Sequence, residues 1–115
     1  MAQGIQIAFQ PLKSLAFGSV AAGYTAIGTA FTSAVRNITI TNLTDTTVIF
    51  SYDGGVTDHD VLPAGAGKVY DFAANKSDNG GMSAFQNGGR VYVKRGGGAP
   101  TLGAVYVSAF YCLGD

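Results

Sequence analysis

Thr47–Leu62 reads TVIFSYDGGVTDHDVL, and this stretch decides the fold class. Val48, Phe50 and Tyr52 fall on one face of an extended chain, Thr47, Ile49 and Ser51 on the other. That period of two belongs to a pleated strand, whereas helical faces repeat about every 3.6 residues. Asp53-Gly54-Gly55 supplies positions for a reversal at positive φ, because glycine has no Cβ to clash. A polar loop with the single histidine, His59, follows, and a second strand leaves toward Pro63. The stretch argues for an antiparallel β domain and contains no motif of an enzyme.

The composition agrees. A chain of 115 residues is one domain near the commonest domain size. It is long enough to bury roughly two-thirds of its unfolded surface in one core. All seven acids are Asp, Glu is absent, and Lys is sparse, while Gly, Thr, Val and Tyr abound. This mixture disfavours helix and suits strands and turns. Seven acids and seven bases cancel, so no global field draws nucleic acid or an anionic membrane. Charged residues are only 12% of the chain, about half the usual share, against 47% hydrophobic. An isolated domain ordinarily carries more surface charge than this. Val105–Tyr111 places apolar residues on both strand faces, so part of the surface is expected to meet a partner.

One cysteine, Cys112, cannot form an intrachain disulfide and is expected to be a small buried hydrophobe. No basic region followed by an apolar run suggests a signal peptide, and no apolar run reaches eighteen residues. Synthesis in a cytoplasm is expected, which makes the sequons at Asn37, Asn42 and Asn75 coincidental.

Along the chain, Ile5–Phe9 alternates and stops before Pro11, which lacks a ladder donor. Ser14–Val20 is ambiguous. Tyr24–Phe31 reads as a strand with Gly28 as a bulge or close approach. A rival helix over 16–34 would place Gly18, Gly23 and Gly28 in its interior at about 1 kcal/mol each. Arg36–Asn42 (RNITITN) is a strong strand, and Leu43–Thr46 is read as the turn of a hairpin into Thr47–Tyr52. Asp60–Leu62 begins the next strand, Pro63–Gly67 turns the chain, and Lys68–Phe72 continues. Residues 73–89, rich in Asn, Ser, Asp and Gly, read as a long surface loop. Arg90–Lys94 and Ala104–Tyr111 are the last strands, with Arg95–Pro100 read as a hairpin tip between them. About eight short strands with Gly-rich turns predict a single antiparallel β-sandwich or jelly-roll-like barrel. The stretch 1–34 is expected to be an arm or edge strands contacting neighbours, and 35–115 the core, self-sufficient over Val35–Tyr111.

Few residues offer chemistry. Asp53, Asp58 and Asp60 have oxygens suited to Ca²⁺, but their spacing matches no calcium loop and no Glu supplies a bidentate ligand. Asp beside Gly-Gly is more simply a turn former. No metal and no cofactor is therefore expected. His59 as a base has no nucleophile in a supporting motif. Arg95-Gly96-Gly97-Gly98 lacks the Gly-Lys-Ser/Thr of a phosphate loop. Arg90, Tyr92, Lys94 and Arg95 mix bases with an aromatic, yet zero net charge favours an ordinary exposed strand face. No catalytic residue emerges.

The string Ile49–Gly65 (IFSYDGGVTDHDVLPAG) resembles a pattern in small virion proteins of tailed bacteriophages. There a strand ending in Ser, Phe or Tyr, and Asp-Gly is followed by Thr-Asp-His, then by Val or Leu before Pro-Ala-Gly. Strands like Arg90-Val-Tyr-Val-Lys94 and Gly103-Ala-Val-Tyr-Val107 close it. The similarity spans roughly Arg36–Tyr111 and leaves out the first 35 residues. Asp-Gly-Gly and Pro-Ala-Gly are also good turn chemistry in their own right. The resemblance implies a capsid decoration (cement) protein, commonly a trimer, bound to the major capsid protein in a virion assembled in a bacterial host. A neck or tail-adaptor ring subunit is the nearest alternative. From a different class, a carbohydrate-binding sandwich at a fibre tip would stack sugars on exposed aromatics, for which this chain has six Tyr and no Trp.

Overall fold

Strand β4, Asn37–Asn42, buries Ile38, Ile40 and Asn42 and leaves the residues between them half-buried. The same alternation recurs over residues 104–109, where Val105, Val107 and Ala109 are buried. A computed structural model describes residues 6–32, 35–71 and 89–113. The remaining strands are β1 (Gln6–Phe9), β2 (Lys13–Ala16), β3 (Thr25–Ala26), β5 (Val48–Ser51), β6 (Asp60–Leu62), β7 (Gly67–Asp71), β8 (Tyr92–Arg95) and β9 (Ala104–Leu113). A single 3-10 turn, Phe17–Ser19, is the only helical element among the described residues.

The strands form two antiparallel sheets packed as a sandwich. One has the order β1-β9-β4-β7, with β2 also on β9; the other is β3-β8-β5-β6. Pro11 interrupts β1 and β2, which run as one broken strand along β9: Phe9 pairs with Phe110 and Lys13 with Val107. Central pairings bring apolar residues together, Ile40 opposite Val107 in the first sheet and Phe50 opposite Val93 in the second. These side chains meet between the sheets, where Ile40, Phe50 and Val93 are fully buried. Each such residue stabilises the fold by about 1.5–3 kcal/mol relative to leaving it in water.

Most strands agree with the sequence reading, and so does the reversal between β5 and β6; the other connections do not. Leu43–Thr46 is no hairpin turn, because β4 and β5 lie in different sheets. The same holds for Pro63–Gly67 between β6 and β7 and for Arg95–Pro100 between β8 and β9. From β2 onward every connection crosses between sheets except β5–β6. Alternation alone could not tell a hairpin from a crossing, since both leave Ile40 and Phe50 facing the core. What selects the crossing is β9, whose ten residues pair with β4 on one side and β1 and β2 on the other.

Two corners fix these crossings. Asn42, fully buried, donates from its amide to the carbonyls of Thr46 (2.8 Å), Leu62 (3.0 Å) and Pro63 (3.2 Å). Its Oδ1 accepts from the Thr44 N–H and hydroxyl, so every polar atom of the side chain is used. The second corner is Gly103, at φ 83°, where a Cβ would sit 1.9 Å from the Leu43 carbonyl oxygen.

The N-terminal segment is not separable from the core. Val20, Ile27 and Phe31 are buried in the same cluster as Ile38 and Val105. The expectation of a self-sufficient core from Val35 onward therefore fails. Strands β1, β2 and β3 lie at sheet edges. Between Tyr24 and Phe31 only Thr25–Ala26 forms a strand, and Gly28 is a close approach to Lys13. The loop expected over 73–89 lies, up to residue 88, outside the described residues, as does the side chain of Cys112.

Candidate functional site

The loop 52–59 joins β5 to β6 and closes largely on itself. Asp53 Oδ1 accepts from the Ser51 hydroxyl (2.7 Å) and from the N–H groups of Val56 and Thr57. The Ser51 oxygen in turn accepts from the Gly55 N–H at 3.1 Å. Gly54 and Gly55 take φ of 84° and 89°, the left-handed region that such a reversal needs. The hydrogen bonds from Ser51, first, and Thr57 hold the Asp53 carboxyl far below its usual range. Asp53 is thus the keystone of a turn, each bond following from short polar side chains reaching nearby backbone.

Asp58 and Asp60 point elsewhere. The Tyr24 hydroxyl donates to Asp58 at 2.5 Å, and Lys94 Nζ lies 3.2 Å from the same carboxylate. Asp60 is nearly buried and receives three donors: Tyr52 Oη (2.7 Å), Lys68 Nζ (2.7 Å) and Tyr70 Oη. Burial pushes the Asp60 carboxyl up, but the Lys68, Tyr52 and Tyr70 bonds outweigh it and its pKa is lowered. Burial, then the bond to Asp60, drives the Tyr52 and Tyr70 hydroxyls above the ordinary phenol range. Since Asp60 belongs to β6 and Tyr70 to β7, this cluster ties the two sheets together at one edge.

His59 stacks on Tyr52 with ring centroids 5.3 Å apart. Its Nδ1 accepts the Tyr52 N–H at 3.1 Å, so the neutral ring carries its proton on Nε2, 4.0 Å from Asp53. Among the described residues no three His, Cys, Asp or Glu group as metal ligands. The hollow beside the loop, lined by Ile49, Asp58, His59, Asp60 and Val61, is shallow, at about 210 Å³.

The mixed basic strand is also engaged internally. Arg90 donates to the Gly28 carbonyl at 2.7 Å and lies over the Tyr92 ring, while Lys94 lies over Tyr24. Gly96 packs on Ile49, where a Cβ would come within 3.1 Å. Tyr24, Lys68 and Tyr70 escaped the sequence reading because nothing local marks them as partners of Asp58 and Asp60. Asn42 was legible: RNITITN puts it on the same face as Ile38 and Ile40. Its burial also leaves no accessible amide for a glycan at that sequon.

No helix among the described residues is long and apolar enough to cross a membrane. No family model and no curated protein matches the chain. Among solved structures, one from Bacillus endospore appendages, described as a novel family of disulfide-linked pili, is similar over 98% of this chain and 95% of its own. The TM-score is 0.51 at 18% identity, so what the two share is the β-sandwich fold.

Proposed function

We propose that the chain is a non-enzymatic structural subunit that assembles with copies of itself through the edges of its sandwich. The observation that carries this is the character of those edges. Strands β6 and β7 form one edge, each paired on a single side among the described residues, and present Val61 and Val69 at 60% and 59% exposure. At the opposite edge β1 presents Phe9, 76% exposed, and Leu12 follows it, 64% exposed. Unpaired strand edges bearing apolar side chains are templates for another chain. Two unlike edges on one subunit suit head-to-tail contacts, which close into rings or continue as filaments.

Within this class the leading assignment is a decoration protein of a tailed-phage capsid, a trimer seated on the major capsid protein, with a neck or tail-adaptor ring as the neighbouring role. Its support is the Ile49–Gly65 resemblance. The strand order, with nearly every connection crossing between sheets, supports a jelly-roll winding. A filament subunit is the second reading, favoured by the full-length likeness to an appendage protein. Light scattering and electron microscopy of the purified chain, with co-sedimentation on phage capsids, test the proposal. A discrete oligomer that binds capsids is the expected result, and fibres would select the second reading. A stable monomer at high concentration that binds no capsid would overturn both.

A further inference from the structure

Lys13 opens β2 beside a cleft that runs between the Pro11 break and the segment 28–32. The cleft has a volume of about 360 Å³ and is lined by Gln10, Leu12, Ser14, Thr29 and Thr32 as well as Lys13. Lys13 is only 8% exposed, yet its ammonium has one hydrogen bond, to Thr29 Oγ1 at 3.3 Å, and lies 5.2 Å from the centre of the Phe31 ring. No described carboxylate lies within ion-pair distance of it, whereas Lys68 and Lys94 each have one. A second cation stands behind it. Arg90 binds the Gly28 carbonyl from one terminal nitrogen, and its Nε is buried without a partner. Gly28 separates the two, so close to Lys13 that a Cβ there would lie 3.0 Å from the lysine stem.

A buried charge ordinarily has a partner, because desolvation is costly and a neighbouring like charge adds to it. Burial, first, and the Arg90 charge both lower the Lys13 pKa. Two cations on either side of one glycine, of which Lys13 opens on a cleft with hydroxyls at its wall, have the composition of an anion receptor. The Thr29 oxygen accepts from Lys13, so its own proton is directed to a further acceptor, and the Thr32 hydroxyl, which accepts from Gln10 at 3.3 Å, has its proton to give as well. Leu12 and Ala30 provide an apolar wall for whatever carries the charge.

We propose that the Lys13 cleft is a binding site for an oxyanion, a carboxylate or phosphate group held by the Lys13 ammonium and the Thr29 hydroxyl with the Arg90 charge behind. The group comes either from a free small anion or from a carboxylate on a second copy of the chain. The free-anion source does not depend on the assembly role proposed above, whereas the second-copy source rests on it. The test titrates the full chain with inorganic phosphate and with succinate at fixed ionic strength, sodium chloride serving as control. Amide NMR shifts of Gly28 and Thr29 and the melting temperature are followed in the wild type, Lys13→Met and Lys13→Arg. Saturable shifts at Gly28 and Thr29, with a melting temperature raised by several degrees, lost in Lys13→Met and kept in part by Lys13→Arg, establish a free-anion site. A wild type that refuses both probes, while folded Lys13→Met drops to a smaller assembly and Lys13→Arg does not, identifies the anion as a neighbour's carboxylate. Responses that match sodium chloride in all three proteins, with unchanged assembly, overturn the proposal. Lys13→Met is close in volume and removes an unneutralised charge, so it is expected to fold.

Discussion

Single side chains hold the corners where the chain changes sheet, and Asn42 does most there. Its amide serves carbonyls from the 43–46 corner and from the end of β6. Asn42→Ala strips these groups of their donor and leaves a small void. The expected loss is about 2–4 kcal/mol in chemical denaturation. Asn42→Asp is expected to be at least as harmful, since a carboxylate cannot donate to Thr46 and Leu62. Equal stability of wild type and Asn42→Ala would show that water replaces the amide. At the same scale the sequence was uneven as a guide. Its alternation places Asn42 inside, and Asp-Gly-Gly marks the turn that Asp53 builds. Lys13 gave no such signal, because its burial depends on Gly28 and Phe31, fifteen and more residues away, coming to lie against it.

The strands show why position was legible and connection was not. A strand's face is a local property, fixed by alternate residues such as Ile38 and Ile40. Its partner is a long-range property, and here β9 takes both β4 and the broken β1–β2 strand. The N-terminal elements divide accordingly. Strand β1 is an edge strand whose Phe9 packs against Phe110 but faces largely outward. Phe31, after β3, is 2% exposed within the core. Removing residues 1–9 is therefore expected to leave a β-rich circular dichroism spectrum with a modestly lowered melting temperature. Phe31→Ala is expected to cost about 3–5 kcal/mol, as a core aromatic does. Thermal melts of the two variants decide the matter; the reverse ranking would place β1 at the centre of the fold and Phe31 outside it.

The molecule as a whole is clasped at its β6–β7 edge by Asp60 between Tyr52, Tyr70 and Lys68, and this sets its response to pH. The Asp60 carboxyl has a folded pKa below its unfolded one, so its contribution is complete above about pH 4 and is lost as pH falls through the folded value. Tyr52 and Tyr70 have raised folded values, so their contribution is complete below about pH 10 and is lost as pH rises beyond it. Stability is thus expected to form a plateau between these limits and to fall on both sides. Tyr70→Phe removes one of the ionising phenols and is expected to make the alkaline fall shallower, and ultraviolet titration of wild type should show phenols ionising later than free tyrosine. A stability profile unchanged from about pH 2 to about pH 12 would remove Asp60 and its phenols from this role.

Strand β9 is reached late in the chain, after β1, β2 and β4; among the described residues β1 and β2 have no other ladder partner, and β4 has only β7 until then. During synthesis nothing joins β1 and β2 to β4 until β9 leaves the ribosome, some ninety residues after β2. Strands β1 and β2 hold their edges unpaired for that whole interval, and a nascent neighbour on the same message offers an equivalent β9 in trans. The order of translation therefore places the greatest hazard of mispairing before the second sheet's partner layer exists, and the speed with which β9 finds its own β4 decides how much chain reaches the folded pool.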